Sequence, residues 1–200
     1  MALTLEQYRS AIAARRALTV AQCPTALAKE MKSMSEVGWD GDFVVPNQIT
    51  SHSLSGPVLL LDNWIGWPTA MAWSVEKRRQ ISALGYDPSL QTNRRIDAAL
   101  SALSSRMNRI IARGDIYITQ ASVFLSKQNR GAHPLDCYRL TYDRITRLEL
   151  AGRKTIAAGA QGRKMMQANQ YSKERLRICR HPAFESVEAL ASLIEWGLQP

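Results

Sequence analysis

The sequence has no long apolar run. Its apolar stretches, such as residues 58–61, are far too short to cross a bilayer. The first residues, MALTLEQYRSAIAARRAL, also lack the apolar region of an export signal. These absences predict a cytoplasmic protein that makes no membrane contact.

Cysteine is scarce as well. The three cysteines, at positions 23, 137 and 179, are an odd number at wide spacings, which fits neither a disulfide framework nor a closed zinc site. We therefore expect free thiols and no metal. No phosphate-binding glycine loop or nucleophile elbow is present in the sequence, so we expect no cofactor.

Two short patterns suggest catalysis but have simpler explanations. His133 and His181 each precede a proline and an acid, in HPLD and HPAFE. Helix initiation accounts for this order, because proline suits the first helical position and an acid favours the first turn. Asp40 and Asp42 are candidate magnesium ligands, yet a tight acidic turn is the favoured explanation of this pair. The sequence therefore predicts a protein that is not an enzyme.

Positive charge, by contrast, is concentrated in one block. Residues 1–74 carry five Lys/Arg and six Asp/Glu, residues 75–180 carry twenty-one and eight, and residues 181–200 carry none and three, for a total of +9. Such an excess attracts a polyanion over about a Debye length, roughly 8 Å at physiological salt. We expect a nucleic acid. An acidic protein partner and a merely solvated basic surface are the alternatives.

An N-terminal helical module and a loop-rich linker are predicted over residues 1–60. Thr4 followed three positions later by Gln7 is a capping-box pattern, which predicts a helix over about 5–18. A second helical pattern begins at Pro24 and continues to Gly38. Glycines and prolines then predict loops over 38–70, with a short extended piece at 58–61.

The clearest pattern lies at residues 92–113. Apolar residues spaced 4, 3, 4 and 3 predict one buried stripe on a helix of about five to six turns. These residues are Ile96, Leu100, Leu103, Met107 and Ile110. The opposite side carries short hydrogen-bond donors and guanidinium groups, which suit contact with phosphates and base edges. A solvated helix face is the alternative interpretation.

A β hairpin is predicted after this helix. Arg113-Gly114 suits a helix end, and residues 116–119 alternate as a strand. Residues 122–125 are a second β-prone stretch, and residues 137–141 would form the return strand.

This order of elements resembles the winged helix-turn-helix superfamily of DNA-binding domains. The resembling parts are the segment 74–87, the helix ending IIARGDIYI and the later YRLT, about residues 75–150 in all. The resemblance implies a mainly α fold, with a helical bundle and a winged-helix-like module at 61–150 that carries a small β hairpin or wing. In that superfamily the helix before the turn enters the major groove and the wing contacts the backbone. The residues so implicated are Arg94, Arg95, Ser101, Ser105, Asn108, Arg109, Lys127 and Arg130.

The remaining residues, 151–200, are predicted as a basic arm followed by an acidic helix over 183–197. A helical pattern over 143–158 leads into this arm, although glycines weaken it. A second basic track runs through both, formed by Arg144, Arg147, Arg153, Lys154, Arg163 and Lys164.

The sequence thus predicts a non-catalytic nucleic-acid-binding protein. Duplex DNA is the favoured partner and RNA the second, in regulation or in a plasmid or phage replication or maintenance complex; a homodimer or protein partner is compatible with this. The alternative is a subunit of a larger ribonucleoprotein or protein assembly, whose basic surface contacts RNA or an acidic neighbour.

Overall fold

One parallel sheet organises the molecule. The computed structural model describes residues 3–23, 30–39, 53–62, 65–128 and 133–200. Four strands lie in the order β2-β1-β3-β4, with β1 at Val58–Leu61, β2 at Tyr117–Gln120, β3 at Thr155–Ala158 and β4 at Leu176–Cys179. Every neighbouring pair is parallel; Val58 is opposite both Tyr117 and Thr155, and Thr155 is opposite Leu176.

Burial on both faces explains why β1 is a short, uninterrupted apolar run. Leu59 and Leu61 of β1 join one core cluster, whereas Val58 and Leu60 join another. All residues of β1, β2 and β3 are buried, but β4 is an exposed edge strand. The sheet therefore needs helices on both sides.

Two helices cover the first face. Helix α4, Gln91–Met107, buries Ile96, Leu100 and Leu103 against the sheet. Helix α8, Val187–Leu198, packs beside it through Leu190 and Ile194. Helices α2, Trp67–Ala72, and α3, Val75–Leu84, precede α4 and contribute to a smaller core around the buried Trp39.

The second face is covered by α1, Leu5–Ala17, and by the helices that follow β2. These are α5, Leu135–Thr141, a π turn at Tyr142–Thr146, α6, Arg147–Leu150, and α7, Ala160–Ala168. Tyr138, Leu150 and Met165 pack there against β1, β2 and β3. The result is a three-layer arrangement of helices, sheet and helices.

Several sequence predictions are confirmed. The first helix begins after Thr4, whose hydroxyl and Gln7 form the predicted capping box. A helix does occupy most of 74–87, and the long helix and the strand after it are both present. The last helix is present as well, although it begins at Val187 rather than at the predicted residue 183.

The predicted β hairpin or wing is absent from the described residues. Residues 137–141 form α5, because Cys137, Tyr138, Thr141 and Ile145 are buried at helical spacing. In 122–125 only Leu125 pairs, through a bridge to Lys32. The strand after α4 has instead β1 as its parallel partner. The fold is thus mostly helical, as predicted, but its strands form a four-stranded parallel sheet in place of the predicted hairpin or wing.

The C-terminal segment also differs from its prediction. The helical pattern over 143–158 stops near Gly152, whose φ of 70° suits few other residues, and the chain then forms β3. Residues predicted as a basic arm form α7 and β4. Strands in a sheet have their backbone groups satisfied by neighbours far away in sequence, which local patterns do not reveal.

Two predicted helices differ from the structure. Helix α4 ends at Asn108, which adopts a left-handed conformation at φ 49°. The Ser104 hydroxyl accepts a hydrogen bond from the Ile111 N–H at 2.8 Å, so Ile111 is buried while Ile110 is 87% exposed. The second predicted helix is absent from 30–38, where Ser35–Val37 is a single 3-10 turn; its start at Pro24 lies outside the described residues.

None of the helices in the described part of the chain is long and apolar enough to span a membrane.

Candidate functional site

The carboxyl ends of the strands meet at one edge of the sheet. After β1 the chain builds β2 on one side, and it then returns to build β3 on the other side of β1. The strand order therefore reverses between β1 and β3. Open parallel sheets bind their ligands in the crevice outside the carboxyl ends of the strands at such a reversal.

A cavity of about 590 Å³ lies at this reversal. We call it the edge cavity. Its volume falls in the range of small-ligand sites, roughly 300–1,000 Å³. Residues that line it include Asp62, Gly159, Arg163, Cys179, Arg180 and His181.

Asp62 fixes the floor of the edge cavity. It directly follows β1, and its Oδ1 accepts hydrogen bonds from the backbone N–H groups of Gln161 and Gly162, both at 2.9 Å. The carboxylate thereby caps the first turn of α7. Gly159 has a φ of 102°, and a Cβ at that position would overlap the Asp62 carboxylate. Glycine is therefore required where β3 turns into α7.

The lining of the edge cavity carries charges of both signs. Arg163 and Arg180 are exposed, at its rim. Glu185 is half-buried and accepts hydrogen bonds from the backbone N–H groups of Arg180 at 3.0 Å and Ser186 at 3.1 Å. Burial raises the pKa of the Cys179 thiol to about 12, with Glu185 and Asp62 adding to the effect. The thiol thus stays protonated and is a poor nucleophile at neutral pH.

A second polar cluster lies just after β2. The Ser122 hydroxyl and the His133 Nδ1 are 2.6 Å apart, and the imidazole stacks on Tyr138 with ring centroids at 5.7 Å. Burial lowers the pKa of His133 to about 4, so the ring is neutral at neutral pH. Within the described residues, His133 Nε2 and Gln120 Nε2 are buried without a hydrogen-bond partner.

The structure divides the predicted nucleic-acid contacts between the two faces of the sheet. Arg94, Ser101 and Ser105 lie on the exposed side of α4, Arg95 is partly buried there, and Asn108 and Arg109 are exposed just beyond its end. We call this set the α4 surface. The others that remain exposed are Arg144, Arg147, Arg163 and Lys164 on the helices of the opposite layer, and Lys127 after β2. Arg130 lies outside the described residues.

Two predicted contacts have internal roles instead. Arg153 is only 3% exposed; its guanidinium donates to the carbonyl oxygens of Gly56, Ser53 and Glu149 and lies over the Tyr117 ring. Lys154 donates to three carbonyl oxygens at the end of α8 and the C-terminus. Both side chains are therefore engaged by the fold, so a phosphate contact by either of them would compete with these hydrogen bonds.

The sequence predicts only some of the residues that line the edge cavity. Arg163 is a predicted phosphate contact and Arg180 belongs to the predicted basic arm, whereas Asp62 and Gly159 carry no prediction and helix initiation is the favoured interpretation of His181. One local signal points to Asp62: it directly follows a buried apolar strand, and ligand sites in parallel sheets lie at the carboxyl ends of the strands. The described residues contain no group of three His, Cys, Asp or Glu side chains placed to hold a metal ion.

Comparison of the sequence with protein-family models and with curated proteins found no match. Geometry and charge are therefore the basis for assigning a function.

Proposed function

We propose that the chain binds nucleic acid, and that the phosphate backbone crosses the carboxyl edge of the sheet beside the edge cavity. The observation that carries this proposal is that Arg163 and Arg180, from α7 and the end of β4, meet at the rim of a cavity where the strand order reverses. Both side chains are exposed. Guanidinium groups suit phosphate oxygens because their donors match the geometry of the anion.

The distribution of charge supports the same partner. Both arginines belong to the block over 75–180 that holds twenty-one Lys/Arg against eight Asp/Glu. A field of this sign favours association with a polyanion. The α4 surface and the pair Arg144 and Arg147 are the competing contact surfaces. They lie on opposite sides of the sheet, so a straight duplex lying on one of them does not reach the other.

The first experiment measures binding to labelled duplex DNA across a salt series, with single-stranded DNA and RNA for comparison. Three variants separate the surfaces: Arg163→Ala/Arg180→Ala, Arg94→Ala/Arg95→Ala/Arg109→Ala, and Arg144→Ala/Arg147→Ala. We expect the first variant to make the logarithmic salt slope shallower by about two, since each lost phosphate contact removes roughly 0.9. The other two should leave the slope nearly unchanged.

Other outcomes reassign the surface or the function. If only the triple variant changes the slope, the α4 surface holds the phosphates and the edge proposal is wrong. If the native chain binds no nucleic acid at low salt, the basic block serves a protein neighbour, as in the assembly-subunit alternative.

A second candidate function is enzymatic action on a nucleotide held in the edge cavity. The observation that favours it is the presence of both a carboxylate, from Asp62, and an imidazole, from His181, in the lining. Such groups are frequent general acids and bases. The fold thus brings together two residues that lie far apart in the sequence and that local patterns left unconnected.

A denaturing gel of end-labelled oligonucleotides tests this candidate. Fragments seen directly indicate phosphodiester cleavage, and fragments seen only after hot alkali indicate base loss. Activity abolished by Asp62→Asn and His181→Ala, but retained in Glu174→Gln, would support catalysis at the edge cavity. If the oligonucleotides stay intact before and after alkali treatment, both with and without magnesium, the enzymatic candidate is wrong and binding is the function.

A further inference from the structure

Two cysteines from distant parts of the chain meet in the core. Cys23 follows the 3-10 turn Val20–Gln22 after α1, and Cys137 lies on α5. Their Sγ atoms are 2.6 Å apart. Unbonded heavy atoms usually pack at roughly 3.5–4.0 Å, so the fold holds these two sulfur atoms in unusually close apposition.

The surroundings of the pair are apolar and buried. Cys23 and Cys137 are 7% and 0% exposed and belong to a cluster that includes Leu18, Phe124 and Ile145. Burial raises the pKa of the Cys137 thiol, and its contact with Cys23 adds to the effect. Cys23 is the more accessible thiol, and it is therefore the one that an oxidant reaches first.

We propose that Cys23 and Cys137 form an intramolecular disulfide when the protein meets a low-molecular-weight disulfide such as oxidised glutathione. The Cys23 thiolate attacks one sulfur of the oxidant, and one glutathione thiolate leaves. The Cys137 thiol then loses its proton as its sulfur attacks the adjacent Cys23 sulfur of the mixed disulfide, and the second glutathione leaves as a thiolate. The two protons lost by the cysteines are taken up by the two glutathione thiolates, so the protein is oxidised and the oxidant is reduced.

The new bond would connect the end of α1 to α5. The loop it closes contains β1, β2 and the helices between them, so the restriction of the unfolded chain is large. The cross-link should raise the melting temperature by about 5–10 °C. Cys179, which lies at the edge cavity on β4, takes no part.

The test uses the full chain carrying Cys179→Ser, incubated natively with oxidised glutathione, quenched with acid, unfolded and treated with an alkylating agent. We expect a mass two hydrogens lighter than the reduced chain, no alkylation, and a higher melting temperature that dithiothreitol reverses. The matched control carries both Cys179→Ser and Cys23→Ala. Its remaining thiol, Cys137, should be either alkylated or joined to a single glutathione.

Two results would overturn the proposal: both thiols alkylated after native exposure to the oxidant, or glutathione adducts in place of the internal bond. Peptide mapping of the natural chain supplies an independent check. It should give the pair 23–137 after native oxidation and mixed pairs that include Cys179 after oxidation in denaturant. A native pair that includes Cys179 would refute the assignment.

Discussion

A buried ion pair anchors the first helix to the rest of the molecule. The Arg15 guanidinium meets the Glu149 carboxylate at 2.7 Å, and the side chains are 2% and 0% exposed. The hydroxyl groups of Tyr117 and Thr119 donate to the same carboxylate at 2.8 Å and 2.6 Å. The cluster joins α1, β2 and α6, and its buried polar atoms satisfy one another.

Loss of one partner should cost more stability than loss of both. Arg15→Met leaves the buried Glu149 carboxylate without its guanidinium partner, and we expect it to lower the free energy of unfolding by about 3–5 kcal/mol. Arg15→Met/Glu149→Leu should recover part of this loss, because neither charge remains. Urea denaturation measures both. A cost below about 1 kcal/mol for the single variant would mean that water reaches the carboxylate.

His133 should make stability depend on pH. Burial lowers its pKa to about 4, whereas an unfolded histidine titrates near 6.5. Between these values the unfolded chain binds more protons, so stability is complete above about pH 6.5 and falls as the pH drops toward 4. The loss should approach about 3 kcal/mol.

The matched control for this prediction is His133→Asn, which removes the titration but keeps a polar side chain. The unfolding free energies of both proteins are measured from pH 7.5 to pH 4. Their difference isolates the effect of His133, because the contributions of the carboxylates are the same in both proteins and cancel. Parallel curves for the two proteins would show that the imidazole is hydrated in the folded state.

At the scale of elements, helix ends are held by cations and carboxylates from other elements. Lys154, just before β3, donates to the carbonyl oxygens of Trp196 and Gln199 at 3.2 Å and 3.0 Å. Its ammonium also lies 5.4 Å from the centre of the Trp196 ring. Asp62 caps the start of α7 in the complementary way. Such contacts couple each helix to the sheet beneath it.

Lys154→Met should therefore lower stability by about 1 kcal/mol and leave nucleic-acid affinity and its salt slope unchanged. Thermal unfolding and the salt series report the two effects separately. Lys164→Met on exposed α7 serves as the comparison and should change stability little. A shallower salt slope in Lys154→Met would restore the phosphate-contact assignment made from sequence.

At the scale of the whole molecule, the strands of one sheet come from residues 58 to 179. The core on the α4 side combines β1, β2 and β3 with α8, which lies beyond residue 186. We therefore expect the fragment 61–150 not to fold alone, because it lacks most of β1 along with β3, β4 and α8. Amide hydrogen exchange measures this, with the full chain for comparison. Protected amides in the fragment would show an independent module.

How far the sequence predicted this protein depends on how local each signal was. The capping box at Thr4, the α4 stripe through Leu103 and the strand at 117–120 were predicted correctly, because each depends on residues a few positions apart. The return strand at 137–141 failed because LDCYRLT fits either period, and burial of Tyr138 against the sheet decided for a helix.

The candidate site was predicted only in part. Arg163 was chosen for its charge, but Asp62, Arg180 and His181 come together with it only through the parallel order of β1, β3 and β4. Conversely, Arg153 and Lys154 had the charge of a binding surface and were engaged internally by the fold.

By itself the sequence determined the net positive charge, its concentration over 75–180, and the local helix starts, because these follow from residue types and short-range spacing. The tertiary structure alone decided the strand pairing, the position of the edge cavity, the apposition of Cys23 and Cys137, and which cations remain exposed. Each of these joins residues far apart in the chain, and their contacts form only when both faces of the sheet are buried at once.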